Sequence, residues 1–172
     1  GRLSLSEFNN KNPALKLVQN KIPKKNILNR NANILVLREQ GIGDEILYGT
    51  MYSDLLNEFK NLIIECDERL IPLFKNSFQH YKNKFVKLGT YSSDVNEINN
   101  FDHIIYAGSL GKYFRNDLNS FSQNPYLRSI ENYKDLELDK TLNKTQGLKI
   151  GISWKSLNNR YSSEKSLSLE DF

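Results

Sequence analysis

Residues 34–49 read ILVLREQGIGDEILYG, and this stretch decides the fold. Asn33 to Leu37, NILVL, reads as a continuous apolar, β-branched run, the pattern of a strand buried on both faces of a parallel sheet. Two glycines, Gly41 and Gly43, follow at once. From Asp44 the spacing changes: Ile46, Leu47, Met51, Leu55, Leu56 and Phe59 recur at three- and four-residue steps, which predicts one amphipathic helix. Strand, glycine turn and helix in this order form the opening of a βαβ unit.

Working outward, the alternation continues. Asn61–Cys66 and Lys84–Leu88 read as the second and third strands. His103–Ala107 is entered through Phe101 and Asp102 and reads as the fourth. Between the second and third, DERLIPLFKNSF (67–78) predicts a short helix capped by Asp67, with Leu70, Leu73 and Phe74 facing inward. Strands alternating with helices imply right-handed crossovers and a mostly parallel, Rossmann-like sheet of the α/β class, covered on both sides. Residues 116–146 read as irregular, a connection out of the first sheet. LKIGISW (148–154) then reads as a further strand, outside the register of that sheet and opening a second domain. Residues 1–32 are polar and basic and read as an extended linker. Their lysines Lys21, Lys24 and Lys25 read as solvated surface, because no aromatic residues interleave with them.

Composition bounds the function. The 172 residues are 38% hydrophobic and 26% charged, with a formal charge of +4. A chain of this size buries roughly two thirds of its unfolded surface without disulfide or metal staples. One cysteine, Cys66, and two histidines, His80 and His103, build neither an internal disulfide nor a Cys/His zinc cage. The apolar runs are short and broken by charges, so no membrane span is expected, and no secretory leader is visible; both fit a cytoplasmic protein. The mild positive charge tolerates phosphorylated ligands without arguing for nucleic acid. The chain starts at Gly1 and stops at Phe172, just after KSLSLEDF, which reads as the first turns of a helix, and so it reads as a fragment.

The glycine turn is the motif that carries chemistry. Gly41 and Gly43 are expected to turn the backbone sharply and to leave room for a ligand at the strand's carboxyl end. The helix behind them offers free N–H groups and a positive dipole end, suited to a phosphate or a sugar hydroxyl. The dinucleotide fingerprint lacks its third glycine, and no Gly-Lys-Ser/Thr of a P-loop follows. A nicotinamide-linked enzyme is therefore the weaker reading, although Glu65 and Asp67 stand near the distance at which such folds place a ribose-binding carboxylate.

Four segments in order, REQGIGDEILYG, IIECDERLIPLFKNSF, FDHIIYAGSLGKYFR with the later YL, and GISWKS running to KSLSLEDF, carry a resemblance. Together they resemble the glycosyltransferase module that follows tetratricopeptide repeats in many bacterial proteins. That module is related to the ADP-heptose:lipopolysaccharide heptosyltransferases and, more distantly, to protein O-GlcNAc transferases. The resemblance covers roughly residues 31–172. It implies a GT-B fold, two Rossmann-like domains facing across a cleft. Residues 1–32 would be the linker from absent repeats. Residues 33–146 would be the acceptor domain, and 147–172 the first strand and loop of an incomplete nucleotide-sugar domain. Where the family commonly has Ser-Leu-Pro after the fourth strand, this chain has Gly111 in place of the proline.

The resemblance further implies an inverting transfer from a nucleotide-diphosphate sugar, a substrate and not a cofactor, to the hydroxyl of a glycan or protein acceptor, without a metal. It places the general base at Asp44. Acceptor contacts fall on Glu39, Gln40, Gly41 and Gly43, and donor-diphosphate contacts on Lys165 and Ser166. Each has a structural alternative. Asp44 at a helix N-terminus offsets the dipole by about half a kcal/mol whatever its chemistry. Glu39 and Glu45 are rivals as base; Glu45, one residue round the helix, is expected to point elsewhere. Arg38 reads as a phosphate or sugar ligand or as solvated surface. Trp154 packs in a core or lines a cleft. Cys66, His80 and His103 read as structural. The competing class is a Rossmann-like binding module that holds a ligand or partner and turns nothing over.

Overall fold

The computed structural model describes residues 21–23, 29–129, 136–153, 155, 166–168 and 170. The chain divides into two compact units, residues 1–131 and 132–172.

The first unit is built on a four-stranded, all-parallel sheet: β1 (Ile34–Leu37), β2 (Leu62–Cys66), β3 (Phe85–Lys87) and β4 (His103–Tyr106), in the order β3-β2-β1-β4. This is a Rossmann-like arrangement. The chain runs outward from β1 through β2 to β3, then returns to lay β4 on the other side of β1. Ile34 stands opposite both Leu62 and His103, and Leu37 opposite Glu65 and Tyr106. All four residues of β1 are fully buried, as a strand with cover on both faces must be.

Alternate side chains of β1 feed two cores. Ile34 and Val36 join the larger one, with Tyr52, Leu55, Phe74, Phe78 and Phe85. Helices α1 (Ile42–Gly49), α2 (Tyr52–Glu58) and α3 (Ile71–Ser77) cover this face. Its aromatic rings pack with centroids 5.3 Å apart for Phe78 on Phe85 and 5.6 Å for Tyr52 on Phe74, within the favourable range for offset and edge-on pairs. Leu35 and Leu37 join the smaller core, with Ile98 of α4 (Val95–Asn99), Phe101, Ile104 and Tyr106.

The long helix expected from Asp44 onward is two helices, and Leu47 is 62% exposed instead of inward. The break has identifiable causes. The Tyr126 hydroxyl donates to Ile46 O at 2.5 Å, and its ring lies against Gly49 so closely that a Cβ there would stand 2.5 Å from the hydroxyl oxygen. Arg115 Nη2 donates to Thr50 O at 2.8 Å, and its Nη1 pairs with Asp54 of α2 at 2.9 Å. The helical ladder is thus diverted at Ile46 and Thr50 by side chains from the loop beyond β4.

The segment read as linker is docked where it is described. Lys21 Nζ donates to Asn99 O at 2.9 Å and Phe101 O at 2.6 Å, satisfying carbonyls at the end of α4. Ile22 packs against the smaller core. Lys21 is therefore a cap for α4 and not solvated surface.

In the second unit, Leu136–Lys144 forms a helix, here α6 because Gly111–Phe114 is α5. This corrects the irregular reading of 116–146: Leu138 and Leu142 stand one turn apart between charged residues, a short helical pattern that was present in the sequence. Residues 148–153 form no strand, and Leu148, Ile150 and Ile152 are exposed. A strand needs a neighbour to take its backbone hydrogen bonds, and the described residues of this unit contain none. Trp154 lies outside the described residues. Among the described residues no helix is long and apolar enough to cross a membrane.

If the Ile22 contact closes the smaller core, Ile22→Ala destabilises the chain by about 1–2 kcal/mol, below the full core value because the site is half-buried. Urea denaturation checks this, and an unchanged midpoint would show that the segment does not dock.

Candidate functional site

The strand order reverses between β1 and β4, and the carboxyl ends of strands at such a reversal are where open α/β sheets bind ligands. The loop after β1 supplies Arg38, Glu39, Gln40 and Gly41. The loop after β4 supplies Ala107, Gly108 and Ser109. Helix α1 starts between them.

Glu45 decides how this corner is held. It is completely buried, contrary to the expectation that it points away. One step round the helix from Asp44 turns it inward, beneath the ends of β1 and β2. Its Oε2 accepts the Asp67 N–H at 2.8 Å, and its Oε1 stands 2.7 Å from Arg38 Nε, a close ion contact without the alignment of a directed hydrogen bond. Arg38 also donates through Nη1 to Asp67 Oδ2 at 2.8 Å and through Nη2 to Gln40 O at 2.7 Å. Asp67 caps the turn 68–70 as expected, accepting Arg69 N at 3.0 Å, and holds the Arg69 side chain through Nε at 2.9 Å and Nη2 at 3.0 Å. Arg38 is therefore a structural tie, not a solvated or ligand-seeking cation.

Burial pushes the Glu45 carboxyl above its ordinary value, opposed by the Asp67 N–H and by Arg38. The Arg69 side-chain bond, helped by its backbone N–H and by Arg38, holds Asp67 well below the usual carboxylate range. Burial pushes the Cys66 thiol up to about 12, so it is inert as a nucleophile.

Glu65, at the end of β2, is buried as well. Its two oxygens accept Gly89 N at 2.9 Å, Tyr91 N at 2.6 Å, Ser92 N at 2.9 Å and Ser92 Oγ at 2.6 Å. Four donors satisfy a buried carboxylate. Gly89 carries φ +89, a conformation that favours glycine, where this loop wraps it. Both candidates for a ribose-binding carboxylate, Glu65 and Asp67, are thus engaged within the protein, which counts against the nicotinamide reading.

The glycine turn differs from expectation in its cause. Gly41 is extended, with φ −76, and positive φ among the described glycines falls only at Gly89 and Gly147. The turn does not need glycine dihedrals. What the glycines leave is space: a Cβ on Gly43 meets nothing within 4 Å, and one on Gly41 meets only Asp44 Oδ2 at 3.7 Å. Asp44 is half-buried, and its Oδ2 accepts the Gly41 N–H at 3.2 Å, the acidic half of a capping box. With its nitrogen turned toward the carboxylate, the Gln40 amide donates to both Asp44 oxygens at 3.2 Å. Glu39 reaches across the crevice, and its Oε2 accepts the Gly108 N–H at 2.8 Å. Burial, with the Glu39 charge nearby, pushes the Tyr106 phenol up to about 12.

The corner thus brings together Glu39, Gln40, Gly41, Gly43 and Asp44. It adds Gly108 and Tyr48, which the sequence reading did not single out; the signal was a glycine directly behind the fourth strand. Lys165 lies outside the described residues. Ser166 is half-buried in the second unit. Beside the corner, a groove of about 500 Å³ is lined by Arg38, Asp67, Glu68, Arg69, Lys87 and Leu88. Its cations are already paired: Lys87 with Glu68 at 2.6 Å, and both arginines with Asp67. Among the described residues no group of three His, Cys, Asp or Glu could hold a metal. No protein-family model matches the chain, and no curated protein or solved structure matches it.

The opposed shifts of Glu45 and Asp67 set a pH dependence. Glu45 is raised in the folded state, so its ionisation opposes folding; stability rises as pH falls from neutral through its folded pKa to its ordinary 4.5. Asp67 is lowered, so its contribution is full above its ordinary 3.8 and is lost as pH falls through its folded pKa. Thermal melts across pH should therefore peak on the acid side of neutrality. Glu45→Gln should remove the rise between neutral pH and 4.5 while leaving the acid loss. Glu45→Ala strands Arg38 and the Asp67 N–H, and is expected to cost about 3–5 kcal/mol. A flat Glu45→Ala result would show that the contact holds nothing.

Proposed function

We propose that the chain is the acceptor-binding half of a GT-B glycosyltransferase, acting with a nucleotide-sugar half in an inverting transfer. The observation that carries this reading is the pair of half-buried carboxylates, Glu39 and Asp44, at the switch point of a Rossmann-like sheet, beside two glycines that leave the turn open. The order of motifs around that turn supports it.

On this reading the acceptor hydroxyl lies over Gly41 and Gly43. Asp44 takes its proton as the oxygen attacks the anomeric carbon in line, and the nucleotide diphosphate leaves. Lys165 and Ser166 would meet the diphosphate charge in the donor half, in place of a metal. Glu39 and Gln40 orient the acceptor. Amino-terminal tetratricopeptide repeats, a glycan or protein acceptor and a cytoplasmic location belong to the same proposal.

One observation favours the second reading, a binding module without turnover. Asp44 already caps its own helix, its Oδ2 accepting the Gly41 N–H, which gives the carboxylate a structural role without any chemistry. Substitution separates the two. Asn keeps the size and the capping capacity. In a polypeptide carrying both halves of the cleft, Asp44→Asn should lower turnover by about a hundredfold to ten-thousandfold, with melting temperature and donor affinity nearly unchanged. Turnover within a few fold of the unsubstituted protein would remove Asp44 as the base and make Glu39 the next residue to replace. A sharp fall in melting temperature would assign Asp44 to the cap alone.

A further inference from the structure

The two faces of the sheet are covered unequally. Helices α1, α2 and α3 lie over the larger core. Among the described residues only α4, five residues long, brings helical side chains to the smaller core, through Val95 and Ile98. A parallel sheet needs cover on both faces, and Ile63, Tyr91 and Val95 at this core are half-buried. Lys21 and Ile22 arrive at the same place. Lys21 Nζ donates to the carbonyls of Asn99 and Phe101, and Ile22 packs against the core. The chain directly before them is therefore delivered to this face.

We propose that residues 13–20 dock on the smaller core as an amphipathic helix and complete its cover. This segment, PALKLVQN, lies outside the described residues, and its sequence carries the pattern. Ala14, Val18 and Ile22 recur at four-residue steps, with Leu15 and Leu17 on either side. That is an apolar stripe continuous with the contact Ile22 already makes. On the same spacing Lys21 falls within the stripe, the side from which it reaches the carbonyls at the end of α4. Lys16 and Asn20 fall on the opposite side. The bounds are those of a short helix: Asn12 at the N-cap, Pro13 at the first helical position and Pro23 just past the end. A helix of this length does not hold by itself in water, so its stripe needs a surface to pack on. The half-buried side chains beside Ile22 offer one, and the segment belongs to the same compact unit as the sheet.

The test is NOE spectroscopy of the full chain with its Val and Leu methyl groups isotope-labelled. The expected result is a set of cross-peaks from the Val18 methyls to the Tyr91 ring and to Val95. Their absence would overturn the proposal. A sample that mixes labelled and unlabelled chains separates contacts within a molecule from contacts between molecules. Cross-peaks that arise only between molecules would make the occupant a second copy of this chain, and would also overturn it. Substitution gives an independent readout. Val18→Asp places a charge against the core and should speed exchange of the Ile98 and Phe101 amides, which bond to Asp94 O and Ile98 O, by about tenfold or more relative to those of β1. Lys16→Glu, on the opposite side, should leave them unchanged. Equal effects from the two substitutions, or none from Val18→Asp, would overturn the proposal. If Val18→Asp does not fold, the methyl contacts in the unsubstituted chain decide the matter.

Discussion

A single fully buried carboxylate, Glu45, fixes the corner on which the rest of the site is arranged. A carboxylate without water must be paired and hydrogen-bonded, or it becomes neutral. Here the Arg38 contact and the Asp67 N–H meet that demand, and they come from the ends of two different strands. Helix α1 is thereby tied at its first turn to β1 and to β2 at once. The tie is costly on its own, since taking both charges from water offsets much of their attraction. What it supplies is placement: the residue before Glu45 is Asp44, and its position over the glycine turn follows from that of Glu45.

The same contacts separate the acidic residues of this corner by their surroundings. Glu65 is surrounded by donors from its own loop, and Asp67 by two guanidinium groups. Glu39 and Asp44 instead sit half-buried at the reversal of strand order, each accepting a backbone N–H. Five carboxylates stand at this end of the sheet: Glu45, Glu65 and Asp67 are held by donors from the protein's own loops and guanidinium groups, and Glu39 and Asp44 lie half-buried where the strand order reverses. Sequence spacing does not make that division, because it depends on which donors the fold brings up from elsewhere.

Much of the sheet was legible. Ile34–Leu37, Leu62–Cys66 and His103–Tyr106 are apolar runs dense in Ile and Val, and nothing in tertiary packing competes with that signal. Asp67 as a cap was legible from its place before Glu68–Leu70. The break after Gly49 was not, because its causes, Tyr126 and Arg115, lie far along the chain. Nor was the docking of Lys21, whose acceptors are carbonyls near Asn99 and Phe101. The glycine turn does lie where the strand order reverses, but its glycines leave open space and do not supply positive-φ dihedrals. Leu148–Ser153 shows the limit of pattern reading, since an apolar run forms a strand only where a neighbouring strand accepts it.

The central claim is that Glu45 holds α1 to the end of β2, and the Asp67 amide reports on it directly because its hydrogen goes to Glu45 Oε2. Native-state hydrogen exchange at Asp67 N–H measures the strength of that tie. The account predicts protection comparable to that of the β1 amides, falling by at least an order of magnitude in Glu45→Ala relative to those same amides. Exchange of the Asp67 amide at the rate of an open loop in the unsubstituted chain would contradict it.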